Sequence, residues 1–128
     1  MTNADSLPES RFLPLKPNVF MVLLALQEGP SHGYGIRKEV LERSEGTVEL
    51  DPSGLYRLIA RLESDGLLRA SRARPPEEQD DERRNYYELT PVGRRVLAAE
   101  ARRLARLMGR PDMAAVLAAG ASGGETLP

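Results

Sequence analysis

The chain has no cysteine, no tryptophan and a single histidine, and its other aromatic residues are two phenylalanines and four tyrosines. Without cysteine, neither a disulfide framework nor a thiolate metal site can form. His32 alone cannot assemble a metal site, and no sequence motif pairs it with a nucleophile. We therefore expect no catalytic site, no bound metal and no cofactor.

Long apolar runs are also absent. The longest, from Val19 to Leu26, has eight residues, whereas a helix needs about 20 to cross a bilayer. No basic segment followed by an apolar stretch marks a secretory signal, so we expect a cytoplasmic protein without a membrane partner. The formal net charge is −1 over 128 residues, which does not exclude a local basic surface.

Capping residues and prolines set the predicted helix boundaries. They predict four helices, at 17 to about 28, 33–43, 52–64 and 91–108. Ser31 is the expected cap of the second helix, whose inner stripe is predicted to be Ile36, Val40 and Leu41. Alternating residues rich in tyrosine and threonine predict two short strands, at 67–74 and 85–89.

This order of elements predicts a mainly helical fold with a small β-ribbon. A winged helix-turn-helix domain is expected at 13–90, followed by a dimerisation helix at 91–109. Residues 1–12 are polar and unpatterned, which predicts a flexible arm. Ala, Gly and Ser dominate residues 110–128, which predicts a flexible tail with at most a short helical turn near 114–118.

The third predicted helix has two distinct faces. Its inner face repeats apolar residues at helical spacing, namely Leu55, Leu58, Ile59 and Leu62. Its outer face carries Ser53, Arg57, Arg61 and Ser64, with Tyr56 at one flank. Arginine can read guanine with two hydrogen bonds, while serine and tyrosine can reach phosphates. The face suits a DNA major groove, although an ordinary solvated helix face explains the same pattern.

The predicted ribbon is also rich in arginine. Arg69, Arg72 and Arg74 lie on its first strand, and Arg83 and Arg84 precede its second. Such a hairpin can straddle a phosphate backbone or enter a minor groove, but charge also protects ordinary edge strands. The loop between the strands carries five acidic residues within 77–82. It is expected either to turn away from phosphates and penalise non-specific binding, or to be a solvated loop without consequence.

The first and last helices carry more apolar surface than one small domain can cover. We therefore expect them to pack against their counterparts across the two-fold axis of a homodimer. The residues predicted for that interface are Phe20, Leu24, Leu97, Ala101, Leu104 and Met108.

A series of short motifs, in order, resembles the PadR family of transcriptional regulators. The motifs are His32-Gly33-Tyr34-Gly35-Ile36, Ser53-Gly54-Leu55-Tyr56, Arg61-Leu62-Glu63, Asp65-Gly66-Leu67-Leu68 and the segment from Asn85 to Arg94. They span roughly residues 17–106, and the short last region resembles the smaller subfamily with one C-terminal dimerisation helix. The resemblance implies a homodimeric repressor whose third helix and wing bind a palindromic double-stranded DNA operator.

The resemblance also suggests site residues and an effector. Together with the basic residues above, it predicts DNA contacts from Tyr34, Lys38, Ser53, Tyr56, Arg57, Arg61, Arg83 and Arg84. Some relatives are relieved by phenolic acids or flat hydrophobic drugs, so a small apolar or phenolic effector near Phe20 and Met21 is expected, with a fully packed interface as the alternative. The chain departs from the family at Asn85, where a lysine is usual, and it has no tryptophan with which to sandwich a drug.

A different function remains open at this point. Three acidic residues at the third helix, Asp51, Glu63 and Asp65, outnumber its two arginines. The alternative is therefore a winged-helix protein-docking module that does not bind DNA.

Overall fold

We describe the fold from a computed structural model, which covers residues 9–72 and 85–126. Within these stretches the chain forms a short 3-10 helix at Glu9–Phe12 and five α-helices: α1 Pro17–Ala25, α2 Gly33–Arg43, α3 Pro52–Ser64, α4 Pro91–Met108 and α5 Pro111–Thr126. Three short strands, β1 Ser31–His32, β2 Leu68–Ser71 and β3 Tyr86–Leu89, form an antiparallel sheet in the order β1-β3-β2. This arrangement confirms the predicted winged helix.

Helices α2, α3 and α4 have the predicted bounds, α1 ends at Ala25 rather than at about 28, and β2 is shorter than the strand predicted at 67–74. Two further elements differ in kind from the prediction. Strand β1 was not predicted; it forms because Ser31 and His32 pair with Tyr87 and Tyr86 of β3. Helix α5 replaces the tail that was expected to contain no more than a short helical turn. Its Pro111 stands at the first helical position, where proline is well tolerated, and alanine is the strongest helix former.

The core lies between α1–α4 and the sheet. Of the predicted inner face of α3, Leu55, Ile59 and Leu62 are buried, and Leu58 is half-buried. The prediction for α2 was partly wrong, because Ile36 and Val40 are buried but Leu41 is 42% exposed. At 100° per residue, position 41 is about 140° away from position 36, and so it leaves the inner stripe.

Two helix starts are capped by side chains. Thr90 Oγ1 accepts a hydrogen bond from the Gly93 N–H at 3.0 Å, which caps the start of α4. In α2 the cap is His32 rather than the predicted Ser31, because His32 Nδ1 accepts a hydrogen bond from the Gly35 N–H at 3.1 Å. Ser31 instead lies in β1.

The first turn of α4 is seated directly on the turn that joins α3 to β2. The Thr90 N–H donates to the Leu67 carbonyl oxygen at 3.1 Å, and the Thr90 hydroxyl donates to the Gly66 carbonyl oxygen at 2.5 Å. A Cβ atom at Gly93 would collide with the Leu67 carbonyl group. The absence of a side chain at Gly93 is therefore what allows α4 to approach this turn so closely.

The segment before α1 is fixed to α4 by two carboxylates. Arg95 pairs with Glu9 at 2.9 Å, and the Leu15 N–H donates to Glu100 Oε2 at 2.8 Å. Glu100 is 1% exposed and also pairs with Arg103 at 2.5 Å. The hydrogen bond from Arg103 lowers the pKa of Glu100 despite its burial, and the Leu15 N–H adds to this effect. Residues 9–12, predicted to belong to a flexible arm, thus form a helix held against α4.

The lengths and compositions of the helices bear on membrane contact. Within residues 9–72 and 85–126, none of the helices is both long enough and apolar enough to cross a bilayer.

The close approach at Gly93 generates a stability prediction. We expect Gly93→Ala to lower the free energy of unfolding by about 1–3 kcal/mol, because the new methyl group must displace backbone atoms of a packed turn. The matched control is Gly120→Ala in α5, where no atom lies within 4 Å of the added methyl. That change should raise stability by at most about 1 kcal/mol through helix propensity.

Urea unfolding followed by circular dichroism, at one protein concentration, measures both changes. Equal stability of the Gly93→Ala variant and the wild type would contradict the described contact between α4 and Leu67.

Candidate nucleic-acid interface

The outer face of α3 presents two arginines that lie one helical turn apart. Arg57 and Arg61 are both exposed, and neither pairs with a carboxylate among the residues that the structure describes. The inner face of the same helix is anchored in the core by Leu55, Ile59 and Leu62. The two guanidinium groups are therefore available to a partner on a rigid helix, and each offers five N–H donors.

Two exposed tyrosines lie where α2 and α3 meet. Tyr34, in the first turn of α2, is 58% exposed, and Tyr56 of α3 is 50% exposed. A Cβ atom at Gly33 would be 2.5 Å from the Tyr56 hydroxyl oxygen, so the Tyr56 ring lies directly across the start of α2. The His32 ring meets Tyr34 edge-on at 6.3 Å and Tyr86 at 5.2 Å between centroids. The tyrosines thus border the α3 face with their hydroxyl groups.

Asp51 and Ser53 form a polar pair at the start of α3. The Ser53 hydroxyl donates to Asp51 Oδ2 at 2.8 Å, and both residues are exposed. This hydrogen bond lowers the pKa of Asp51, with further contributions from the Gly54 N–H and the Arg57 guanidinium, so the carboxylate is ionised at neutral pH. The sequence did not predict Asp51 as a site residue, and in the structure it lies at the start of α3 beside Ser53 and Arg57.

Lys38 lies one turn after Tyr34 on α2 and is exposed. It lines two shallow depressions beside α2, with volumes of about 210 and 500 Å³. Arg37 in the smaller depression donates to the Leu50 carbonyl oxygen at 2.8 Å, which fixes the connection between α2 and α3. Glu49 lines the same depression and Glu39 the larger one, so Lys38 has both acidic and basic neighbours.

One wing arginine that the structure describes is held in an ion pair within the sheet. Arg69 of β2 pairs across the sheet with Glu88 of β3 at 2.7 Å, which also lowers the pKa of that carboxyl group. Arg83 and Arg84 lie outside the described residues, as do Arg74 and the acidic loop at 77–82. The roles predicted for them stay predictions.

Four of the residues predicted for a dimer interface lie together. They line a groove of about 350 Å³ between α1 and α4: Phe20, Leu24, Leu97 and Ala101. Leu104 is half-buried further along α4, and Met108 is 47% exposed. Helix α5, which the sequence did not predict, adds Val116 and Leu117, which are 62% and 55% exposed.

Comparison with known proteins gives one family and several relatives. The model of the transcriptional regulator PadR-like family matches residues 22–99, which is more than half of the chain. An uncharacterised 37.1 kDa protein in transposon TN4556 of Streptomyces fradiae is 43% identical over 96 residues. That match covers 75% of this chain and 25% of the relative, so the chain spans about a quarter of the length of this curated relative.

Solved structures agree with the family match. A PadR family transcription regulator from Clostridium difficile R20291 is 28% identical, with a TM-score of 0.57 over 73% of this chain and 95% of that one. A transcriptional regulator from Clostridium thermocellum is 25% identical, with a TM-score of 0.56 over 70% of this chain and 82% of that one. With its order of motifs, its winged helix and the family match over residues 22–99, the chain belongs to the PadR family of transcriptional regulators.

Proposed function

We propose that this regulator binds double-stranded DNA in a sequence-specific way and acts as a repressor at a palindromic operator. The observation that carries the proposal is the outer face of α3, where Arg57 and Arg61 project without carboxylate partners among the described residues. A helix of this kind can enter the major groove while its other face stays in the core.

The residues of this surface suit different parts of a duplex. Arg57 and Arg61 read bases, because a guanidinium group can make two hydrogen bonds to guanine O6 and N7. The hydroxyl groups of Tyr34 and Tyr56, and the ammonium group of Lys38, hold phosphates on either side of the groove. Family membership supports the same division, because the recognition elements of this family are the third helix and the wing.

The base-reading role of Arg57 generates a direct test. We expect Arg57→Ala to weaken binding to the selected operator by about 5–150-fold, which corresponds to the roughly 1–3 kcal/mol of a two-bond base contact. The matched control is Arg43→Ala, which removes the same charge from the far end of α2, where Arg43 already pairs with Glu39 at 2.8 Å. Binding is measured by gel shift on duplexes selected from a random library, across a salt series.

Two results would contradict parts of the proposal. If the wild-type protein bound no duplex at low salt, the proposal of DNA binding would be wrong, and the alternative of a protein-docking module would be favoured. If DNA bound but Arg57→Ala matched the wild type, the α3 face would not be the reading surface.

We further propose that the chain is a homodimer through α1, α4 and α5. The surface formed by the groove residues Phe20, Leu24, Leu97 and Ala101 continues along α4 through Leu104 and Met108. A second copy would cover this surface by two-fold symmetry, since each copy presents the same patch to the other. Dimerisation would also present two α3 helices to the two halves of a palindrome.

A charge placed in this surface should separate the subunits. We expect Leu104→Glu to convert the dimer to monomer at micromolar concentration, because a carboxylate buried in an apolar interface is strongly unfavourable. Leu41→Glu is the control, since it makes the same change at a leucine that is 42% exposed on α2. Sedimentation velocity measures the state, and circular dichroism confirms folding. A monomeric wild type would rule out the interface.

The groove between α1 and α4 supports an effector site. Its volume of about 350 Å³ falls within the range of small-molecule pockets, and its lining is mainly apolar, with Gln27 and Arg94 at its edge. We propose that a small apolar or phenolic molecule binds there and relieves repression. The alternative is that the second subunit fills the groove completely.

Filling the groove tests this proposal. We expect planar and phenolic compounds to weaken operator binding by the wild type, and Ala98→Phe to remove that response while operator affinity is retained. Ala98 is half-buried and lines the groove, so the larger ring would occupy the ligand volume. Operator affinity unchanged by every compound of the panel would favour a packed interface.

A further inference from the structure

We propose that Asp51 is a specificity-determining residue of the α3 face, whose carboxylate accepts a hydrogen bond from the N4 amino group of a cytosine in the major groove. The proposal rests on the DNA binding proposed above and adds a base contact of opposite polarity to that of Arg57. It also gives Asp51 a second effect, which is to keep phosphates away from the start of α3.

The position of the carboxylate is fixed by its neighbours. The Ser53 hydroxyl holds Oδ2 at 2.8 Å, and a Cβ atom at Gly54 would be only 2.5 Å from Oδ1. The side chain therefore lies folded over the first turn of α3, in space that is open only because residue 54 is glycine. Asp51 nevertheless remains exposed, so its unoccupied lone pairs face solvent rather than the core.

Helix capping accounts for only part of this arrangement, because Asp51 is the N-cap residue of α3 but its side chain is held first by Ser53. Thr90 and His32 accept hydrogen bonds from backbone N–H groups at 3.0 and 3.1 Å at the starts of α4 and α2. The Asp51 side chain makes no comparable cap hydrogen bond at the start of α3, although the Gly54 N–H helps to lower its pKa. The Asp51 carboxylate instead accepts a hydrogen bond from the Ser53 hydroxyl.

The charge of Asp51 determines which base it can read. The lowered pKa, caused first by the Ser53 hydroxyl, keeps the carboxylate ionised, so that it only accepts hydrogen bonds. The major-groove edge of cytosine offers the N4 donor, whereas adenine places the N7 acceptor beside its N6 donor. A carboxylate therefore favours cytosine, because N7 of adenine would repel it.

Arg57 lies beside this carboxylate with the opposite polarity. Its guanidinium nitrogen would be 3.8 Å from a Cβ atom at Gly54, and its charge contributes to lowering the pKa of Asp51. A donor group and an acceptor group thus flank Gly54 on one helical turn. Guanine presents two acceptors and cytosine one donor in the major groove, so the pair complements G and C in neighbouring positions.

The same carboxylate disfavours non-specific contacts. A helix start normally attracts phosphate, because its free N–H groups and its dipole favour negative charge. An ionised Asp51 repels a phosphate that approaches this end of α3. Non-specific binding depends almost wholly on phosphate contacts, so it loses more from this repulsion than operator binding does.

Selection from a random duplex library tests the inference with three full-length proteins: wild type, Asp51→Asn and Asp65→Asn. Asparagine is also a good residue for a helix start, so the first variant keeps the fold of α3. It can bond adenine N6 and N7 together, so it should change the preferred base from cytosine to adenine at one position of each half-site. Asp65→Asn removes the same charge at the other end of α3, where Asp65 is exposed, and should leave that position unchanged.

Titration of the selected duplexes and of unselected random duplexes completes the test. We expect the wild type to prefer cytosine about 5–150-fold at that position, Asp51→Asn to lose this preference, and its affinity for random duplexes to rise. If the wild type selects a clear sequence and Asp51→Asn selects the same one, the role of Asp51 is wrong while DNA binding stands. If the wild type selects no sequence, sequence-specific DNA binding itself is wrong, and the inference is wrong with it.

Discussion

The contact between the first turn of α4 and the Leu67 carbonyl group holds three elements in one arrangement. Leu67 follows α3 and leads into β2, so Thr90 and Gly93, which bond to or pack on this turn, attach α4 to both. In the proposed homodimer, α4 belongs to the interface and α3 to the DNA surface. The distance between the two reading helices would then be set by a short, stiff connection, which favours one half-site spacing.

The described residues of the candidate interface carry few charges, some of them close to an opposite charge. Arg57 is close to Asp51, and Arg69 of the wing is paired with Glu88. The chain as a whole carries a formal net charge of −1. From the described residues, attraction to a duplex would come mainly from Arg57, Arg61 and Lys38, and discrimination between sequences would depend on the base contacts proposed for α3.

Much of the fold follows from local sequence signals. The parts that do not follow from them were missed for identifiable physical reasons. Helix α3 was predicted because its leucines recur at helical spacing between a proline and the Asp65-Gly66 stop. Strand β1 was not, because two residues cannot show alternation and their partners lie more than fifty positions later. Helix α5 lacks an apolar stripe that would distinguish it from a tail. The exposed arginines were predicted as site residues. The position of the Asp51 side chain over Gly54 was not, because it depends on backbone geometry that residue spacing does not reveal.

The buried carboxylate of Glu100 has a consequence for the groove between α1 and α4. Through the Leu15 N–H it ties the chain just before α1 to α4. Phe20 and Leu97 are the opposing walls of the groove, one on each of these helices. The hydrogen bond between the Leu15 N–H and Glu100 thus limits how far the two walls can move apart. A molecule thick enough to spread these walls would have to strain the hydrogen bond between the Leu15 N–H and Glu100, so the proposed effector groove would select for thickness as well as for polarity.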